Sequence, residues 1–215
     1  MIKGIIFDAD GTLLDSMHIW GELGARYLSS IGKKAEEGLA EILFTMSLEE
    51  SGAYLKKAYD ISDSVEKIMS DMLNLIEVFY KNEAELKKGA AVFLEFIKQK
   101  NIPAVIATSG NRELLLEALK RLRITDYFSE ILTCTELKTS KKEPLIYLRA
   151  TEIIGTQPEE TAVFEDVLHG IKTAKNAGFV TFAVEDEASK NDRDEIKTIS
   201  DYYIIDFTYP VLYEI

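Results

Sequence analysis

A chain of 215 residues is long enough for one large domain or two small ones, and its 47% apolar content can fill a core. Lys and Arg number 25 against 37 Asp and Glu, a net charge of −12 that opposes a phosphate backbone unless a cation intervenes, so nucleic acid is excluded as an expected partner. No run approaches ~18 apolar residues, Met1 enters a strand-like segment with no leader pattern, and the single cysteine, Cys134, excludes an internal disulfide or a cysteine metal cage. The expectation is a soluble cytoplasmic protein with no membrane partner, in which Cys134 is a small core residue. Nothing in the sequence specifies an oligomer, and a monomer is compatible with it.

The first element is a strand, "KGIIFDAD" (3–10), apolar until it meets Asp8 and Asp10. From 15 to 86 only helical periodicity follows: Met17, Trp20, Gly24, Tyr27, Leu28 and Ile31 share a face, "SLEESGAYLKKAY" opens with a Ser47-x-x-Glu50 capping box, and a later helix opens with Asp63-x-x-Glu66. After this stretch strands and helices alternate. Helix 89–100 leads to strand 103–110, and helix 111–122 to strand 130–137. A helix with Pro144 in its first turn and Gly155 past its end precedes strand 161–166; one closing on Gly178 precedes strands 179–185 and 201–206. Nearly unbroken apolar strands alternating with helices predict an α/β fold, a doubly wound, Rossmann-like parallel sheet covered on both faces. The expected division is a catalytic core, 1–14 with 87–215, and a smaller all-α cap, 15–86, inserted after the first strand and placed to act as a lid.

In such a sheet the carboxyl ends of the strands meet at one edge. The first strand brings Asp8 and Asp10, the second Thr108 and Ser109, the fourth Glu165 and Asp166, and the segment after the third brings Lys141. Each has a plainer reading in isolation: Asp10-Gly11 as a turn, Thr108 and Ser109 as a helix cap, Lys141 as one solvated lysine in "TSKKEP", Glu165-Asp166 as a cap. Together they form an oxygen-rich acidic pocket, which suits Mg²⁺.

These segments resemble the haloacid dehalogenase-like hydrolases, in the branch of the β-phosphoglucomutases and phosphoglycolate phosphatases. "DADGTLLDS" is similar to the first signature of that family, "VIATS" to the second, "KKEPLIYL" to the third and "VFEDVLHGIKTAKNAG" to the fourth. The resemblance implies that Asp8 is the nucleophile that takes up the phosphoryl group, and that Asp10 is the general acid and base, with its carbonyl on Mg²⁺. Gly11 allows the sharp exit from the strand and belongs to the phosphate-binding loop, while Thr12 hydrogen-bonds within it. Thr108, Ser109 and Lys141 hold phosphoryl oxygens. The resemblance further implies that Asp166 completes the metal shell with Asp8, and that Glu165 binds the metal through water or supports the shell from behind.

The chain departs from the mutases of that family. Leu48 stands where they carry a cap arginine, Trp20 where they carry a cap histidine, and "DMLNLIEVFY" lacks the expected lysine. Val167 and Lys88 depart from the usual fourth motif and from the usual proline before Gly89, away from the chemistry. His18, Trp20, Met46 and Leu48 are the candidates for the substrate-facing side of the cap; Trp20 as bundle core and His18 as a surface residue are the alternatives. The function implied is a Mg²⁺-dependent phosphatase for a small phosphorylated metabolite, such as a sugar phosphate or a phosphoglycolate-like compound. A sugar-phosphate mutase and a non-catalytic phospho-ligand-binding member are the alternatives.

Overall fold

The computed structural model describes residues 1–43 and 46–214. In chain order the elements are β1 (Gly4–Phe7), β2 (Leu14–Asp15), α1 (His18–Ser30), α2 (Leu39–Leu43), α3 (Leu48–Ala58), α4 (Val65–Asn82), β3 (Glu85–Leu86), α5 (Ala90–Gln99) and β4 (Ala104–Thr108). They continue with α6 (Arg112–Arg121), β5 (Glu130–Thr133), α7 (Cys134–Leu137), α8 (Leu145–Ile154), β6 (Thr161–Glu165), α9 (Leu168–Asn176), β7 (Val180–Val184), α10 (Arg193–Ile199) and β8 (Tyr202–Ile204). The chain parts into two compact units, Met1–Ser16 with Ala84–Ile215, and Met17–Glu83.

The larger unit is built on a six-stranded sheet in the order β5-β4-β1-β6-β7-β8, every pairing parallel. This is the doubly wound α/β class expected from the alternating elements. Strands β1, β4 and β6 are buried along their whole length, as central parallel strands must be when helices cover both faces. Side chains alternate between those faces. Ile6, Val105, Ala107 and Val163 pack with Ile146, Tyr147 and Ala150 of α8. Phe7, Phe164 and Phe182 are paired across β1, β6 and β7 and stack on the other face, with ring centroids 5.0 and 4.8 Å apart. Phe93 of α5 and Phe207 close over them. Each such ring contributes about 1.5–3 kcal/mol by leaving water. The chain runs from β1 outward through β4 and β5, then returns to the other side of β1 with β6, so the strand order reverses at β1. A crevice for ligands forms at such a reversal.

The structure corrects the sequence reading at the ends of two strands and adds a short strand pair. β1 ends at Phe7, because the carbonyl of Ala9 accepts from the amides of Leu13 (3.0 Å) and Leu14 (2.8 Å) and rolls the chain into a turn. Gly11 sits in that turn at φ 84°, where a β-carbon is strained. Asp8 and Asp10 therefore stand in the loop after the strand and do not share a pleated face. β5 ends at Thr133, whose hydroxyl accepts from the Glu136 amide at 3.2 Å and caps a short helix. Cys134 starts that helix and is a buried core residue. The antiparallel pair β2 and β3, with Leu14 opposite Leu86 and Asp15 opposite Glu85, is too short to leave a periodic signal.

In the helical unit Ser47 forms the expected capping box with Glu50. The cap of α4 is Ser64, one residue beyond the expected Asp63, with its hydroxyl accepting from the Lys67 amide. The buried face of α1 is Ile19, Leu23, Gly24, Tyr27 and Leu28, against Ile68, Met72, Ile76 and Phe79 buried along α4. Trp20 is 50% exposed and Ile31 36%, so the stripe is rotated about one residue from the expected one and Trp20 is not bundle core. Thr45, in the "TMSLEES" segment, lies outside the described residues. Among these residues no helix is long and apolar enough to cross a membrane.

Candidate active site

The amide of Asp8 donates to the carbonyl of Phe164 at 2.9 Å, which locks the exit of β1 onto β6 and sets Asp8 beside Glu165 and Asp166. Asp8, Thr108, Lys141, Glu165 and Asp166 are all buried. The solvated-lysine reading of Lys141 is thereby overturned: it is 3% exposed, and its ammonium pairs with both Asp8 and, at 2.7 Å, Glu165. Oε2 of Glu165 also accepts from the Tyr147 hydroxyl at 3.1 Å. Thr12, expected to bond within its loop, instead donates to Oδ1 of Asp166 at 2.8 Å. Oδ2 of Asp166 is buried and has no hydrogen-bond partner among the described residues.

Asp10 lies on the Thr108 side of the cluster. Its Oδ1 accepts from the Ser16 hydroxyl at 2.6 Å, and a β-carbon placed on Gly110 would fall 2.8 Å from its Oδ2 and 3.1 Å from Oγ1 of Thr108. Gly110 thus lets the backbone pass close to both groups, and its amide donates to the Thr108 hydroxyl at 2.8 Å. Ser109 is exposed, and its hydroxyl contacts Sγ of Cys134 at 3.5 Å, so its side chain does not join the others.

Three carboxylates share this buried site with a single ammonium. Burial, together with the charge of Glu165, pushes Asp8 up to about 6 despite the opposing Lys141. Burial, then Asp8 and Glu165, drive Asp166 well above the carboxylate range. Burial works to lower Lys141, but the two carboxylates in contact with it overcome that and raise it, so it remains a cation. Asp8, Glu165 and Asp166 each offer an oxygen, and these atoms lie within 4.8 Å of one another. An all-oxygen set, negative in excess and with one carboxylate oxygen unpartnered, fits a small hard divalent cation.

Tyr147, Ser16 and Gly170 were not singled out from the sequence. Tyr147 is the tyrosine of "KKEPLIYL" and Ser16 ends "DADGTLLDS", so the quoted motifs contained both. Gly170 matters for room: a β-carbon there would lie 2.6 Å from Cδ of Glu165 and 2.8 Å from its Cγ. Lys141 and Tyr147 hold that carboxylate in place, so Gly170→Ala is expected to cost about 1–3 kcal/mol of stability. Urea unfolding checks this, and an unchanged midpoint would show that Glu165 is free to move.

His18, Trp20, Met46 and Leu48 belong to the helical unit. Trp20, Met46 and Leu48, with Ser51 and Met72, line a largely apolar cavity of about 200 Å³ within it. His18 is exposed, its ring edge-on to Phe79 with centroids 5.2 Å apart.

An open parallel sheet that gathers carboxylates, a hydroxyl and a buried lysine at the ends of adjacent strands defines a doubly wound α/β enzyme. The chain belongs to the haloacid dehalogenase-like hydrolases, whose family model matches residues 5–184. It is 32% identical over 177 residues to a phosphorylated carbohydrates phosphatase of Thermotoga maritima, covering 82% of each chain. Identity to a phosphoglycolate phosphatase of Neisseria gonorrhoeae is 28% over 198 residues, 85% of this chain and 80% of the relative. The solved structure of a β-phosphoglucomutase-like protein from Thermotoga maritima matches with a TM-score of 0.82 at 28% identity, over 94% of each chain. The protein is a phosphoric monoester hydrolase of this family.

Proposed function

We propose that the protein is a Mg²⁺-dependent phosphatase of a small phosphorylated metabolite, of the sugar-phosphate or phosphoglycolate kind, that works through an aspartyl-phosphate on Asp8. The observation that carries this reading is the buried Lys141 ammonium, held between Asp8 and Glu165 beside the unpartnered oxygen of Asp166. A carboxylate oxygen of Asp8 attacks phosphorus, the ester P–O bond breaks, and Asp10 gives its proton to the leaving oxygen. Asp10 then takes a proton from water as that water attacks phosphorus, the bond to Asp8 breaks, and phosphate leaves. Lys141 and the hydroxyl of Thr108 stabilise charge on the transferring oxygens. Asp8, Asp166 and the carbonyl of Asp10, with Glu165 beside them, would hold Mg²⁺, which supplies charge neutralisation for the phosphoryl group.

The helical unit serves as the cap that chooses the substrate. Leu48 and Trp20 replace the cap arginine and histidine of the mutases, and no cation is among the described residues that line the cavity of the helical unit, which favours a monophosphate ester over the bisphosphate cycle of a mutase. Release of phosphate from p-nitrophenyl phosphate with Mg²⁺, followed by a panel of phosphorylated metabolites, tests the reading. Interconversion of sugar-phosphate isomers without net release would replace it by the mutase.

Metal dependence has a signature in stability. Folding raises Asp8 to about 6 and raises Asp166 well above its ordinary value, so these groups bind protons in the native state that the unfolded chain releases near 3.8. Raised carboxyls contribute stability that is present below the unfolded value and lost as pH rises through the folded one. The metal-free protein therefore loses their contribution between about pH 4 and 6 and beyond, and Mg²⁺ restores it at neutral pH. At pH 7.5, Mg²⁺ at a hundredfold excess over its Kd is expected to add about 2.7 kcal/mol, or roughly 5–10 °C in Tm, and less at pH 5. Calorimetry with Mg²⁺ against EDTA measures this; equal melting in both would rule out the metal site.

A further inference from the structure

Tyr147 has no part in the mechanism above, yet its hydroxyl ends at the site. The ring is fully buried in the apolar cluster between α8 and the sheet, where a phenylalanine would fill the same volume. The hydroxyl adds a hydrogen bond to Oε2 of Glu165, the oxygen that also receives Lys141. Glu165 is 1% exposed and packed against Gly170; its Oε2 is held by these two donors, while its Oε1 has only the long bond, 3.5 Å, from the Val167 amide. A buried carboxylate with the ammonium as its sole strong donor would draw that ammonium wholly to itself. A second donor on the same oxygen spreads the charge and leaves Lys141 shared with Asp8.

We propose that Tyr147 is a positioning residue: through Glu165 it sets the Lys141 ammonium against Asp8 and the phosphoryl group. This rests on the phosphatase reading. Among the described residues Tyr147 hydrogen-bonds Glu165 and neither Asp8 nor Asp166, so of the three oxygens that could hold the metal it reaches only the one that also takes the lysine.

The experiment is a double-mutant cycle on the full chain with p-nitrophenyl phosphate and saturating Mg²⁺. Y147F is expected to lower kcat about tenfold, since small misplacements of a charged group are costly, and to leave the Mg²⁺ dissociation constant, read by calorimetry, within about twofold. In an E165Q background the same change should cost less than about twofold, because residues that act as a unit are non-additive. Site-specific 3-fluorotyrosine at 147 keeps ring and hydroxyl and should retain at least about half of wild-type kcat. Binding of inorganic phosphate, read without turnover, should weaken about fivefold in Y147F. An unchanged kcat in Y147F, an equal loss in both backgrounds, or an equal loss in the fluorinated protein would overturn the proposal. Wild-type protein that binds phosphate but hydrolyses no ester would count against the phosphatase reading alone, since the phosphate measurement still reports on Tyr147.

Discussion

Asp8→Asn is expected to lower phosphatase kcat by about 10⁴- to 10⁶-fold, the scale seen when an enzyme loses its nucleophile. The amide matches the carboxylate in size but carries no charge with which to attack phosphorus. Lys141 keeps Glu165 as a partner, and Tyr147 still holds that carboxylate, so the site stays assembled. The substitution also removes one of the three crowded negative charges from a site where burial raises Asp8 to about 6. Circular dichroism should accordingly remain that of the wild type while phosphate release vanishes. Full activity in the variant would remove Asp8 as the nucleophile and with it the covalent route.

Lys141→Ala has the second large effect, and it falls on stability as well as on rate. The substitution strips Asp8 and Glu165 of the ammonium they share and leaves two carboxylates buried beside Asp166. Breaking such a pair by removing one member costs about 3–5 kcal/mol, or roughly 6–20 °C in Tm for a chain of this size. The sign with pH follows from the direction of the shift. Asp8 and Glu165 raise Lys141 against the effect of burial, so its contribution is complete below the ordinary lysine value and is lost only as pH climbs through the raised one. At neutral pH the deficit is therefore whole. It should shrink toward pH 5, where the orphaned Asp8, already raised to about 6 by burial, takes up a proton. Lys141→Arg is expected to recover stability in part and activity hardly at all, since a planar fork does not replace a compact ammonium held between two oxygens. Melting curves at pH 5 and 7.5, with phosphate release, check both; a K141A protein as stable as the wild type at pH 7.5 would mean that the pair contributes nothing.

The positions of the two aspartates, of Thr108 and of Glu165-Asp166 at the ends of buried strands were legible in the sequence. Buried parallel strands leave an apolar run that charge interrupts only where the strand stops. Lys141 was legible only through its motif, because by composition "TSKKEP" is a solvated stretch, and its burial rests on Asp8, 133 residues away. The link from Thr12 to Asp166 spans 154 residues, and that from Tyr147 to Glu165 depends on how α8 lies on the sheet. In the helical unit, both capped helices were readable, yet Trp20 came out exposed. Spacing alone leaves the rotation of a helix undecided by about one residue, and packing of Ile19, Leu23 and Tyr27 settles it.

Local patterns of apolar residues, caps and glycines decide where strands and helices begin and end, so the α/β class, the inserted helices and the acidic strand ends are properties of the chain read in order. Which carboxylate takes the lysine, which oxygen is left open, and which tyrosine steadies the pair are decided by contacts between residues far apart in sequence. Those contacts exist only after the sheet has brought β1, β4 and β6 side by side.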